Sequence, residues 1–237
     1  MNRIRAVFLD AGDTLLRADP PVESVYRASF ARHGVSATDE EVHRAVHATW
    51  RDVDAARARG EERWGGDGGE RGFWRRFVGT VFARAGGGAM PEELLAELVA
   101  HFAQEKHWAV DPAAQPVLGA LRARSLRLLV VSNWDSTLPS LLERLGLASA
   151  VDDVVVSALV GASKPARAIF DEAVRRAGVA HGEALHVGDS LTDDYHGARD
   201  AGLRALLLDR RRRAGGGVEA IASLEELPER LGGPSTA

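Results

Sequence analysis

Cysteine is absent from the 237-residue chain, which excludes disulfides, thiolate metal sites and a cysteine nucleophile. Any metal must therefore sit on oxygen or imidazole ligands. Lysine is almost absent too. It occurs only at Lys106 and Lys164, so 28 of the 30 Lys and Arg residues are arginine. In that background a lysine marks a place where a compact, flexible ammonium is wanted, which singles out Lys164. Long apolar runs are missing as well: none nears the ~20 residues that span a bilayer. The N-terminal run Ala6–Leu9 stops at Asp10, short of the roughly 7–15 residues of a signal-peptide core. A cytoplasmic protein without a membrane partner is the expectation. The net charge of −4 argues against a dedicated nucleic-acid binder.

What is present is ordinary globular composition, 45% hydrophobic and 27% charged, in a chain long enough for a large domain with an insertion. Continuous apolar runs at Ile4–Leu9, Leu126–Val131, Val154–Ser157, Ala184–Val187 and Ala205–Leu208 read as strands buried on both faces. Helical patterns at Leu138–Leu145, Ala166–Ala177 and Asp194–Ala201 alternate with the later strands. That alternation predicts βαβ units and an α/β, Rossmann-like parallel sheet.

Arg17–Trp108 holds no convincing strand. Val22–His33 stops at Gly34, and Thr38 with Glu41 makes a capping box for a helix reaching about Arg59. Trp64–Gly72 reads as a flexible loop, Phe73–Ala85 as a helix, and Pro91 opens another. An all-helical domain, residues 17–108, is thus inserted into a core of residues 1–16 and 109–237. The tail beyond Gly232 is expected to fray.

Ligands of open parallel sheets bind at the carboxyl ends of the strands. Four polar clusters fall there: Asp10; Ser132 with Asn133; Lys164; and Asp189, Asp193 and Asp194. Each alone is ordinary capping or turn chemistry. All at one sheet edge, they describe a reaction. Asp10, Asp189 and Asp194 would repel one another unless a hard cation such as Mg2+ neutralised them. Asp10 could then attack phosphorus to give an aspartyl-phosphate. Lys164 would hold the nucleophile, and Ser132 and Asn133 would donate to the transferring group.

These clusters, read as DAGDT at Asp10–Thr14, VSN at Val131–Asn133, SKP at Ser163–Pro165 and GDSLTDDYHGARDAG at Gly188–Gly202, resemble the four motifs of the haloacid dehalogenase (HAD) superfamily. The resemblance spans nearly the whole chain, because family members commonly carry a helical cap after the first motif. It implies a Rossmann-like core, Mg2+, and hydrolysis of a small phosphorylated metabolite. It also implies a metal-binding backbone carbonyl at Gly12 and adds Thr14 to the substrate-binding residues. Asp194 is the expected metal ligand of the Asp193–Asp194 pair, with Asp193 orienting water or Lys164 behind it.

The chain departs from the family at Gly12. Typical family phosphatases carry there a second aspartate that protonates the leaving group. A positioned general acid is worth ~10²–10⁴-fold in rate, so its loss predicts weak activity unless Asp13 or a residue of the helical domain substitutes. Three readings follow: a phosphatase for substrates that leave without protonation, a haloacid dehalogenase, or a phosphate-binding relative with little turnover. The acidic fourth motif favours the first, because halide displacement needs no metal. Phosphonate cleavage needs a cap lysine for a Schiff base, and only Lys106 is available.

Other features weigh less. GDSLTD resembles a serine-esterase block centred on Ser190, but no histidine follows His196. Arg210–Arg213 reads as a solvated loop rather than a nucleic-acid patch. Trp64, Phe73, Trp74 and Trp134 are candidates for lining the substrate cleft, with Trp74 and Phe77 expected mainly in a core. His43, His47 and His101 read as solvated or packed. Neither the substrate nor the oligomeric state has a readable signature.

Overall fold

A computed structural model describes residues 3–60 and 68–232. The chain divides into two compact units, Met1–Arg17 with Val110–Ala237, and Ala18–Ala109. Strand β1 is Ala6–Leu9 and β2 is Leu16–Ala18. β3 is Trp108–Val110, β4 Arg127–Ser132, β5 Asp153–Val156, β6 Ala184–Gly188, β7 Arg204–Leu208 and β8 Ala220–Ile221. Six of them form one sheet in the order β5-β4-β1-β6-β7-β8, and every pairing is parallel. The α/β class expected from the sequence is the one observed.

The sheet is buried on both faces, as its apolar runs require. Every residue of β1 is fully buried. Ala6 and Phe8 join one cluster with Leu129, Val131, Ile169 and Phe170; Val7 and Leu9 alternate to the other face. Burying a side chain the size of Phe8 or Phe170 contributes about 1.5–3 kcal/mol.

The strand order places the site. From β4 and β5 on one side of β1, the chain crosses to β6 on the other, which makes the carboxyl end of β1 the switch point where parallel sheets open a crevice. Register aligns the donors. Leu9 pairs with Val130 and with Val187, so Asp10, Ser132 and Asp189 leave the sheet at nearly the same level. The helices of this unit are α5 (Ala114–Arg122), α6 (Leu138–Arg144), α7 (Ser157–Val160), α8 (Arg167–Ala177), α9 (Gly197–Asp200) and α10 (Leu227–Arg230).

The second unit contains α1 (Val22–Arg32), α2 (Asp39–Ala58), α3 (Gly69–Arg84) and α4 (Glu92–Phe102). The capping box forms: Glu41 N donates to Thr38 Oγ1 at 3.2 Å and Thr38 N to Glu41 Oε2 at 2.8 Å. Phe30 meets Phe82 edge-on at 5.1 Å. Phe73 and Phe77 are buried beside Trp50, so Phe73 is a core residue of this unit, as its helical spacing with Phe77 dictates.

Several boundaries differ from the sequence reading, each for a local reason. Ser157 opens α7 instead of ending β5, because its hydroxyl turns to accept from Trp134 N at 3.0 Å. Gly69–Gly72 begin α3 rather than closing a loop; Trp64 and the rest of that stretch to residue 67 lie outside the described residues, as does the tail after Gly232. Strands β2 and β3, of three residues each, pair where the chain passes between its two units.

Candidate active site

At the end of β1, Asp10 donates its backbone N–H to Val187 O at 2.9 Å, which fixes it between β4 and β6. The following loop is tight: Leu15 N and Leu16 N both donate to Ala11 O, and Asp13 N donates to Leu16 O. Asp13 adopts φ 51°, a left-handed conformation that aspartate tolerates better than most residues. Its side chain is exposed.

Lys164 arrives from the loop between α7 and α8 and is buried. Its Nζ donates to Asp10 Oδ1 at 2.6 Å and to Asp194 Oδ1 at 2.5 Å. Asn133 holds this lysine from behind. Its Oδ1 accepts from Lys164 N at 2.7 Å, and its Nδ2 donates to Lys164 O at 2.9 Å. The Asn133 amide, expected on substrate, is thus committed to the Lys164 backbone, with Asp193 Oδ2 at 3.5 Å from the same Nδ2.

Asp194 is presented by a π turn, Leu191–His196, that precedes α9. Ser190 Oγ caps the turn by accepting from Asp193 N at 3.1 Å. The helix expected from Asp194 onward is therefore widened at its start, a common device at functional sites. Two glycines make room. A Cβ on Gly188 would lie 2.2 Å from Asp194 Cγ, and one on Gly197 would lie 2.8 Å from Pro165 Cα. The turn can reach Lys164 only because both lack side chains.

The sequence reading missed His186, fully buried in β6. Its Nε2 lies 2.8 Å from Asp194 Oδ1, where the ring N–H donates to the carboxylate. The available signal was a histidine in the otherwise apolar run ALHV. With Ser190 N donating to Asp194 Oδ2 at 3.0 Å, the carboxylate is gripped at both oxygens. Burial works against its ionisation, but the Lys164 ammonium and the His186 hydrogen bond hold it well below the usual range.

Burial raises Asp10, with Lys164 opposing and Asp194 adding to the shift. Lys164 stays charged: burial would lower it, but the two carboxylates overcome that cost. Asp189 is pushed up to about 8 by desolvation and by the charges of Asp10, Asp194 and Asp13. Because solvent reaches its side chain, the repulsion is the firmer cause.

Carboxylate oxygens of Asp10, Asp189 and Asp194 lie within 4.8 Å of one another. Were all three ionised, as a bound cation would require, they would carry a formal charge of −2 with Lys164. A donor set of hard oxygens with that excess fits a divalent cation of the Mg2+ type.

Thr14 lies wholly buried beneath the loop, its Oγ1 without a hydrogen-bond partner among the described residues. Its carbonyl accepts from Arg210 Nη2 at 3.1 Å, and the same nitrogen pairs with Asp111 at 2.8 Å. Arg210 is therefore a brace under the first loop rather than part of a solvated run. Trp134 is half-buried, and its Cζ3 would lie 3.6 Å from a Cβ added at Gly12. Ser190 is a cap for the π turn, and no histidine but the buried His186 approaches the carboxylates in the contacts described.

The haloacid dehalogenase-like hydrolase family matches residues 4–202. The chain is a member of that family. Among curated relatives, this HAD-like hydrolase is 33% identical to mouse haloacid dehalogenase-like hydrolase domain-containing protein 3, over 87% of this chain and 82% of the relative. It is 33% identical to a Thermus thermophilus phosphoserine phosphatase, over 87% of this chain and 89% of that one. A Bacillus subtilis HAD-hydrolase solved with bound magnesium shares the fold at TM-score 0.76 and 21% identity, covering 98% of this chain and 100% of the other. No helix among the described residues is long and apolar enough to cross a membrane.

Proposed function

We propose that this HAD-like hydrolase is a Mg2+-dependent phosphatase of small phosphorylated molecules, with residues 17–108 as its cap. The observation that carries this reading is the convergence of the Asp10, Asp189 and Asp194 carboxylates, with Lys164 bridging Asp10 and Asp194. Halide displacement needs no metal, so it gives no reason to gather the fourth-motif carboxylates around Asp10. The phosphatase among its relatives supports the same chemistry.

Asp10, Asp189 and Asp194 side chains, with the Gly12 carbonyl, would hold the ion. When bound, Mg2+ neutralises the carboxylates and screens the phosphate dianion from Asp10. The Asp10 carboxylate forms a bond to phosphorus while the bond to the leaving oxygen breaks, and that oxygen keeps the electron pair. Water then attacks phosphorus and releases the Asp10 carboxylate and inorganic phosphate. Lys164 orients Asp10 and offsets charge on the phosphoryl oxygens, as Ser132 does by hydrogen bonding. Asn133 serves by fixing Lys164, Asp193 stands behind both, and Thr14 supports the loop.

Gly12 supplies no proton, so aryl and acyl phosphates, whose leaving groups need little protonation, are the preferred class. Mg2+-dependent release of phosphate from these, above that from sugar phosphates and lost with EDTA, is the expected result. Activity on 2-haloacids without metal would overturn the proposal.

Gly12→Asp should raise turnover of alkyl phosphates by ~10²-fold, the lower end for a general acid. A Cβ is accommodated there, since it meets only Trp134 at an ordinary contact distance. Unchanged turnover would show that Asp13 or a cap residue already donates the proton.

Asp189→Asn should stabilise the metal-free protein and remove the rise in melting temperature on adding Mg2+. The sign follows from its titration. Between the ordinary 3.8 and about 8, folded Asp189 keeps a proton that the unfolded chain has lost. Metal-free stability therefore falls as pH rises through that window. Thermal melts across pH, with and without Mg2+, read both effects; a variant that still gains stability from Mg2+ would remove Asp189 from the metal site.

A further inference from the structure

A second cluster of metal-binding groups lies in the helical unit. His43 and His47 stand one turn apart on α2, the spacing that places two side chains on one helix face. Their ring centroids are 4.1 Å apart. Glu23, in the first turn of α1, brings its Oε1 to 2.7 Å from His43 Nδ1. One ligand atom from each of the three lies within 4.8 Å of the others.

The surroundings distinguish this group from an ordinary surface ion pair. Arginine is this chain's usual partner for a carboxylate, and where histidine takes that place, as in His181–Asp171 at 2.6 Å and His33–Glu97 at 3.5 Å, no third ligand joins among the described residues. Arg27 pairs with Asp39 at 2.6 Å and Arg44 with Glu40 at 2.8 Å. Glu23 instead meets His43, with His47 beside it. A salt bridge between α1 and α2 would need only one imidazole.

We infer that Glu23, His43 and His47 form a transition-metal site, separate from the carboxylate cluster and suited to Zn2+ or a neighbouring imidazole-preferring ion. Two imidazoles and one carboxylate are a common protein contribution to such ions, with remaining positions left to water. Ligands on a shared tetrahedral ion stand about 3.4 Å apart, given bonds of about 2.0–2.1 Å. To meet that spacing the 2.7 Å Glu23–His43 pair would open and the exposed His47 ring would turn toward them. The carboxylate cluster offers only oxygens and this group two imidazoles, so the two sites select different ions. An ion here would tie α1 to α2.

Calorimetric titration of the full chain with Zn2+, in excess Mg2+, tests the site. Wild type should take up one equivalent. His47→Ala and His43→Ala should each weaken binding by at least about tenfold, the lower bound for losing even an indirect partner of a metal ligand. Asp189→Asn should leave it unchanged. The histidine ring protons of His43 and His47 should shift together on adding Zn2+ in an NMR titration. Zn2+ uptake unaffected by either histidine variant, or lost with Asp189→Asn, would overturn the assignment. So would the absence of uptake by wild type.

Discussion

Lys164→Met is expected to cost about 3–5 kcal/mol of stability in the metal-free protein. The ammonium sits between two buried carboxylates at 2.6 and 2.5 Å, and removing one partner of a buried charge group leaves the others uncompensated. Methionine preserves most of the volume, so little of the loss comes from a cavity. Urea unfolding without metal measures it. Excess Mg2+ should recover part of the loss, because a divalent ion takes over the neutralisation. A loss near the ~1 kcal/mol of an average substitution would mean that Asp10 accepts a proton instead, and that the lysine is not what keeps the nucleophile charged.

Asp10→Asn should abolish turnover, by on the order of 10⁴-fold or more, since losing a nucleophile removes the covalent route altogether. Asparagine matches aspartate in shape, and Lys164 keeps Asp194 as a partner. The fold should therefore survive, as circular dichroism would show. Steady-state assays with the best aryl or acyl phosphate supply the rate. Residual activity within tenfold of wild type would show that water, and not Asp10, attacks phosphorus.

Much of this site is legible in the sequence because strand-end residues inherit their positions from the sheet. The run Ala6–Leu9 can only be a doubly buried strand, and Asp10 must then stand at its end. The same holds for Ser132 at the end of β4 and Asp189 after β6. Lys164 is conspicuous for a different reason: lysine is otherwise nearly missing. What hides is whatever depends on side-chain direction. Asn133 looks like a phosphate donor in sequence, but its amide turns back onto the Lys164 backbone. His186 looks like a strand residue, and only the packing of the π turn brings Asp194 against it. That turn is itself illegible, because Leu191–His196 carries no mark separating a widened turn from ordinary helix. Arg210 reads as solvated because nothing local announces Asp111 as its partner.

The helical unit shows the same division. Its capping box and aromatic core follow from local spacing, as at Thr38–Glu41 and Phe73–Phe77. The meeting of Glu23 with His43 and His47 depends on how α1 packs on α2, which no periodicity within either helix encodes.

The most direct test of the phosphatase account is acid quenching during turnover of a phosphorus-labelled acyl phosphate, followed by peptide mapping. The account predicts label on the peptide bearing Asp10, released by hydroxylamine, dependent on Mg2+ and absent from Asp10→Asn. Phosphate release that proceeds with Mg2+ while no label is ever found on that peptide would contradict it.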